Sequence, residues 1–422
     1  MLPPTLARGA ALNLAARLTA VALGLAILVI VARMGPAVQG AFALFVAVEA
    51  GLLTLFSGLG LLLAREISHR LLAPAPLLAA LLRAALGLGA AAALVLAGWS
   101  FASDAEPYRH LWLLALAAPL LLWVPTASGL WLGEGRMLPL NAPQVAAPAL
   151  VLLGLGAVAL WRPAGGTTVL AVLAVWVAAK AMVGLATALA ATRDAGPASP
   201  DAATLKREWR FVAMIGLTNV VSLLNYRATL FLVERAEGLA AAGVYSVAVQ
   251  VAELLWLLSS AVTVSAYRRI GAPDAEDAAL TTLHAVRFNL LATLATAPLL
   301  FAGAVWALPT VLGAAYAASL APLALLLPGV AGYAAASSLS AWYTNHRGAP
   351  HWSAGIAGLS LALTLAIAAW AVPRYGAGGA ALATSVAYAV AIVVALRLFL
   401  RDAGLPWRAL LAPPATPQSS AS

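Results

Sequence analysis

Five ionisable side chains sit where ions are expensive. Arg17, Glu49, Lys180, Arg227 and Glu253 all fall inside long apolar runs of the 422-residue chain, and a charge at mid-bilayer costs roughly 3 kcal/mol on insertion scales. Each therefore needs a partner, a cavity or an escape to the interface. Lys180 lies deepest, about 13 residues into its run, too far for its stem to reach the headgroups easily at about 1.5 Å per residue. Glu253 is a candidate counter-ion for Lys180 or Arg227, or a titrating group for ion coupling, and Glu49 has the same two readings. Arg17 is one or two turns inside a helix end, where it lines a cavity or reaches back to lipid phosphate; Asn13, one turn earlier, shares its face. For Arg227 the plain alternative is a pair with Glu234. Three cations against two anions make a cavity lined by these residues slightly positive, which favours an anionic cargo, phosphate above all.

Uncharged polar residues extend the pattern. Asn219, Ser222, Tyr226 and Thr229 recur at helical spacing, and a polar stripe facing lipid is costly, so it should face water or a partner. Gln250, Glu253 and Ser260 share a face with Trp256 beside them. Other chemical signals are weak. Gly87-Leu-Gly89-Ala-Ala-Ala92 lies inside an apolar run with no strand before it and reads as helix packing, not as a dinucleotide fingerprint. No GxxxxGK[ST] phosphate loop occurs. Asp104 and Glu106 form a D-x-E that reads as a solvated loop more readily than as an acid pair of a membrane glycosyltransferase. The 5 His are scattered and cysteine is absent, which removes disulfides, thiolate metal sites and cysteine nucleophiles. No catalytic residue, metal or cofactor is expected.

The elements that must position these residues are membrane spans. The chain is 63% hydrophobic and 9% charged, with mean hydropathy +0.96, far from a soluble domain. Apolar runs give spans near Ala11–Val31, Ala41–Leu63, Leu78–Ala97, Leu111–Leu132, Pro143–Leu160 and Thr167–Ala191, then Phe211–Val233, Gly243–Ala266, Phe288–Leu308, Leu320–Ala341, Trp352–Val372 and Gly378–Leu400. The expected fold is an all-α polytopic membrane protein with about twelve transmembrane helices in two six-helix bundles, 1–192 and 211–411. A cytoplasmic linker, 193–210, carries AGPASPD, and a disordered tail, 412–422, follows. The first run is longer than a signal-peptide core and is read as a retained span. Of 24 Lys and Arg, Arg17, Lys180 and Arg227 are the ones set apart within spans, five (Arg33, Arg109, Arg162, Arg235, Arg374) lie in alternate loops, and sixteen lie in the opposite loops or at the span ends beside them. That asymmetry places both termini in the cytoplasm and explains the net charge of +9 without nucleic acid.

The halves look related. GPAVQGAFALFVAVEAGLL from Gly35 matches GLAAAGVYSVAVQVAELLW from Gly238, pairing Gly40 and Phe42 with Gly243 and Tyr245, and Gly165–Gly166 and Gly378–Gly379 open the last span of each half. Repeated halves are common in transporters.

Four stretches, ARMGPAVQGAFAL (Ala32–Leu44), GLAAAGVYSVAVQVAELLWLL (Gly238–Leu258), GAAYAASLAPLALLLPG (Gly313–Gly329) and VPRYGAGGAALATSVAY (Val372–Tyr388), together resemble the polysaccharide-transporter branch, the Wzx-type flippases, of the multidrug/oligosaccharidyl-lipid/polysaccharide (MOP) exporter superfamily. The resemblance implies two pseudo-symmetric bundles around a central cavity working by alternating access. It also implies a non-enzymatic flippase that carries an undecaprenyl-pyrophosphate-linked repeat unit from the inner to the outer leaflet of a bacterial inner membrane, for O-antigen, capsule or exopolysaccharide assembly. Expected partners are the lipid-linked glycan and the polymerase and glycosyltransferases of that pathway, with the protein itself a monomer. Basic residues of the family's first and seventh helices map by helix position onto Arg17 and Arg227, which with Lys180 would hold the pyrophosphate. Asn13, Asn219, Ser222, Tyr226 and Gln250 would line the cavity, and Glu49 and Glu253 would couple ions or act as counter-ions. The chain departs from the family in Asn225-Tyr226-Arg227, which lacks the acidic neighbour often found there. Two other readings stay open: an ion-coupled multidrug antiporter of the same superfamily, which would want more acid in its cavity, and a membrane glycosyltransferase or polymerase, which would want larger outer loops.

Overall fold

The structure, a computed structural model, describes residues 4–70, 73–161, 169–271 and 274–411. Arg162, Gly165–Gly166 and the tail 412–422 lie outside the described residues. Among those described the chain is helical throughout, with no strand. The helices are α1 (Pro4–Arg33), α2 (Pro36–Leu55), α3 (Gly58–Arg70), α4 (Pro74–Phe101), α5 (Trp112–Glu134), α6 (Met137–Trp161), α7 (Val169–Ala195), α8 (Ala203–Glu237), α9 (Leu239–Glu253), α10 (Leu255–Ile270), α11 (Ala275–Ala307), α12 (Leu320–Tyr333), α13 (Ala336–Ala341) and α14 (Pro350–Asp402).

Eleven helical stretches among the described residues are long and apolar enough to cross a bilayer, and the last of them runs 52 residues. At 1.5 Å per residue that is about 78 Å, more than twice a hydrocarbon core of about 30 Å. The stretch is two crossings. It breaks at Gly376, whose φ of 52° and ψ of −132° are non-helical, and a Cβ on Gly379 would stand 2.3 Å from the carbonyl oxygen of Ala371. Such an approach, eight residues apart in sequence, requires the chain to double back. Glu237 closes the turn by accepting the Ala377 amide at 2.7 Å. With that stretch counted twice, the described residues hold twelve crossings of a multi-pass membrane protein. Leu94, Phe101, Leu116 and Leu160, each more than 70% exposed, are large apolar side chains of the kind that face lipid.

Several spans differ from their sequence-based bounds. The second and eighth are broken, between Leu55 and Gly58 and at Leu254, and the tenth is interrupted between Tyr333 and Ala336. The fifth starts at Met137 and takes Pro143 and Pro148 into the helix, because membrane helices keep prolines where neighbours satisfy the freed backbone.

The chain divides into two compact units, 1–223 and 224–422, and the division falls within α8. In the first unit α5 packs against α3, α4 and α7. Contact with α3 is backbone to backbone: a Cβ on Gly60 would lie 2.0 Å from the Pro125 carbonyl, and one on Gly129 2.2 Å from the Gly60 carbonyl, the close approach that small residues permit in membranes. The first half of α8 seats on the α2–α3 break, where Asn219 donates to Ser57 Oγ at 3.0 Å. Its start is held by ions. Glu66, fully buried, meets Arg65 at 2.9 Å and Arg70 at 3.1 Å, while Glu208 of α8 meets the same two arginines at 2.8 and 3.4 Å. Arg65 also lies over the Phe211 ring, 4.0 Å from its centroid.

In the second unit α12 packs on the returning arm of α14, where Ser385 Oγ accepts the Gly329 amide at 2.8 Å. A buried polar layer joins α10, α11 and α13: Asn289 donates to Ser338 at 3.0 Å, and Thr263 bonds Ser337 and Ser338 at 2.8 and 2.9 Å. Gly35 and Gly238, matched in the sequence comparison, adopt positive φ of 119° and 85°, and each is the residue from which the second span of its half starts.

Candidate functional site

Four of the five ionisable residues singled out inside the spans resolve into ion pairs, one in each unit. In the first, Lys180 of α7 reaches Glu49 of α2 with Nζ 2.5 Å from Oε1, and the other carboxylate oxygen accepts the indole N–H of Trp176, one turn before Lys180. The same indole carries the lysine ammonium 4.7 Å from its ring and meets Phe42 edge-on at 5.1 Å. Burial is unequal: the Glu49 side chain is 1% exposed and that of Lys180 24%.

In the second unit Arg227 of α8 and Glu253, the last residue of α9, form a bidentate pair, with Nη1–Oε1 at 2.7 Å and Nη2–Oε2 at 3.0 Å. Two parallel charge-assisted bonds are the geometry in which a guanidinium recognises a carboxylate, and equally a phosphate. The pair is not sealed, its side chains being 30% and 21% exposed. Glu253 and its neighbours open onto a narrow cleft lined by Tyr226, Thr229, Tyr245, Trp256, Thr384 and Tyr388, among others. Tyr226 packs on Trp256 at 5.1 Å, Trp256 lies 6.3 Å from Tyr388, and Tyr388 stacks on Tyr333 at 4.4 Å. Thr229 and Tyr245 hydroxyls share a hydrogen bond of 2.9 Å, and Trp256 donates to the Val330 carbonyl at 3.2 Å. The result is an acid–base pair beside a wall of aromatic faces with hydroxyl groups at its edges.

Other sequence-selected residues fall elsewhere. Arg17 is exposed, Asn13 is half-buried, and Arg17 has no ion pair among the described residues. Asn219 is spent on Ser57, Ser222 bonds the Thr218 carbonyl of its own helix, and Gln250 donates to the Ser246 carbonyl at 3.3 Å. Of that polar stripe, Tyr226 and Thr229 join the cleft. Glu253 is the partner of Arg227 and not of Lys180, and it, not Glu234, supplies the two hydrogen bonds to the Arg227 guanidinium. Because each pair is neutral as a whole, the cationic excess counted from the sequence reduces to Arg17. Trp176, Tyr333 and Tyr388 were not singled out by the sequence, since aromatics in an apolar run look lipid-facing. The matched position of Phe42 and Tyr245 was the one available signal, and both rings lie beside an ion pair.

No protein-family model and no curated protein sequence matches the chain, but solved structures do. A multidrug resistance MATE family transporter of the MOP superfamily, in an inward-facing conformation, superposes with a TM-score of 0.73 at 16% identity, covering 90% of this chain and 94% of that one. The lipid II flippase MurJ in an inward closed conformation gives 0.74 at 14% identity, covering 95% and 89%. The fold is that of MOP-superfamily transporters. A further MOP-superfamily transporter, from Pyrococcus furiosus, described as having a binding pocket of reverse polarity, gives 0.63 at 16% identity, covering 97% and 96%. The MOP fold thus accommodates drug transporters and a lipid flippase, so the fold by itself does not assign a cargo.

Proposed function

We propose that the protein is a non-enzymatic flippase for a lipid-linked oligosaccharide, an undecaprenyl-pyrophosphate-linked repeat unit, in a bacterial inner membrane with both termini cytoplasmic. The observation that carries this reading is the bidentate Arg227–Glu253 pair, whose Glu253 lines an aromatic cleft. Two oxygens of one phosphate of the pyrophosphate can replace the two Glu253 carboxylate oxygens on the guanidinium fork, and flat aromatic faces flanked by Tyr and Thr hydroxyls suit the apolar faces and hydroxyl rims of sugar rings. Glu253 serves as a placeholder that keeps Arg227 satisfied in the membrane when no cargo is present. The MurJ-like fold supports a lipid-linked cargo. With an interior-negative potential, moving anionic charge outward gains roughly 2.3 kcal/mol per charge per 100 mV, so transport of this cargo needs no nucleotide.

The test is leaflet-to-leaflet movement of a lipid-pyrophosphate-linked glycan in proteoliposomes. Arg227→Ala should slow flipping about 10- to 100-fold, the worth of one charged hydrogen-bonded contact, and Glu253→Gln should spare binding. Arg17→Ala combined with Lys180→Ala should lower transport if those cations also meet the cargo. Unchanged flipping in Arg227→Ala at equal protein level refutes the reading. A second reading, an ion-coupled multidrug antiporter, is supported by the MATE-like fold; extrusion of a cationic dye that depends on Glu253 and is indifferent to lipid-linked glycans would favour it.

A further inference from the structure

A separate cavity lies at the end of the second unit where α10 stops and α11 begins. It holds about 370 Å³, and its lining comes from three segments: the first turns of α11 with Glu276 and Leu280, the wide π-type turn 342–346, and the exit of α14 with Asp402 and Leu405. Such wide turns recur at functional sites because they displace a side chain from its regular place. Here they present Trp342 and His346, stacked at 4.3 Å. Trp342 is 2% exposed, yet its indole N–H meets no acceptor among the described residues, a cost that a buried donor normally avoids.

The charged side chains that line this cavity with Trp342 are of both signs. Arg347 and Asp402 approach to only 3.6 Å, too far for a hydrogen bond, so each keeps capacity for another partner. Glu276 has no ion pair among the described residues, whereas its neighbour Asp277 is closed off by Arg269 at 2.8 Å. Besides the stacked His346, Leu280 and Leu405 add apolar wall to the cavity. All of this sits at helix ends, the level at which a membrane helix meets lipid headgroups.

We infer that this cavity binds a zwitterionic phospholipid headgroup with a primary amine, a phosphoethanolamine. Its ammonium donates to the Asp402 and Glu276 carboxylates, and its phosphodiester accepts from the Arg347 guanidinium and the orphan Trp342 N–H. A quaternary ammonium lacks the N–H groups to satisfy two carboxylates, and an anionic headgroup without amine leaves both carboxylates facing it. The site is independent of the Arg227 cleft and of the cargo proposed for it.

The full-length protein in detergent, offered phosphatidylethanolamine, phosphatidylcholine or phosphatidylglycerol of one acyl composition, tests this by native mass spectrometry and thermal unfolding. Phosphatidylethanolamine should be retained about tenfold more than either competitor, the worth of one charge-assisted hydrogen bond, and should raise the unfolding temperature most. Asp402→Asn with Glu276→Gln, which preserves side-chain size, should erase the preference over phosphatidylcholine, and Arg347→Ala should lower retention of all three lipids. Equal retention of the three lipids by the native protein, or a preference that survives the double substitution, overturns the proposal. Soluble phosphoethanolamine serves as the second arm: stabilisation by it at millimolar concentration equal to that by the lipid would reassign the cavity to a soluble ester and overturn the lipid assignment.

Discussion

Lys180→Met is expected to be far more damaging than Glu49→Gln, although both break the same ion pair. The reason is the inequality of burial: Glu49 is 1% exposed and Lys180 24%. Removing the lysine strands a buried carboxylate whose one remaining hydrogen bond comes from Trp176. Breaking a buried pair in this way costs about 3–5 kcal/mol. At about 2–4 °C per kcal/mol for a unit of this size, the first unit should unfold about 6–20 °C earlier. Removing the acid instead leaves an ammonium that is a quarter exposed and still lies over an indole ring, and the amide oxygen of the introduced glutamine still accepts the Trp176 N–H. Its cost should be less than half as large. In the double variant neither charge is stranded, so Lys180→Met with Glu49→Gln should recover most of the loss, giving a coupling energy of several kcal/mol in the double-mutant cycle. Thermal unfolding of the four proteins in one detergent measures every term. Additive single effects, or Glu49→Gln at least as destabilising as Lys180→Met, would show that the pair is not held in the unequal environment described and would refute the argument.

Gly376→Ala puts a methyl group about where Glu237 Oε1 now lies, 2.0 Å away, at a φ that disfavours side chains. A loss of about 1–3 kcal/mol is expected, read as a lower unfolding temperature that Glu237→Ala does not rescue fully. Glu66→Gln should release the start of α8, so amides of 203–211 exchange hydrogen faster while those of α5 do not. His110, buried between the α4 and α5 crossings, has its imidazole held below the usual range by burial and then by Arg109, against the opposing pull of Glu106. The folded state therefore prefers the neutral ring. Its contribution is complete above the unfolded value of about 6.5 and is lost as the pH falls through the lower folded value. Thermal stability should drop between pH 7 and pH 5, less steeply in His110→Gln.

Hydrophobicity alone made the crossings legible, because lipid demands long apolar helices and the loops between them are short. Breaks within crossings were hidden. Phe56–Ser57 and Leu254 sit in runs whose composition does not change, and the Gly58 and Gly216 that let helices meet at the first break look like any membrane glycine. The five costly charges were visible one by one, but their pairing depends on which helices adjoin. Lys180 and Glu49 are on α7 and α2, far apart in sequence, and nothing local to either specifies the other. The Gly35 and Gly238 match shows the opposite case: a positive φ at a helix start leaves a mark at a single position, so a repeat can be read from it.

The turn at Gly376 has a consequence for how the protein is made. Its cap, Glu237, is translated 140 residues before the amide it receives, at the end of the α8 crossing. During synthesis that carboxylate waits at the membrane surface until the turn between the two arms of α14 has formed, so this end of the seventh crossing gains its latch from an amide made 140 residues later. A nascent chain stalled before Ala377 would lack this latch, and quality-control proteases would meet a second unit in which the end of α8 is still unfastened.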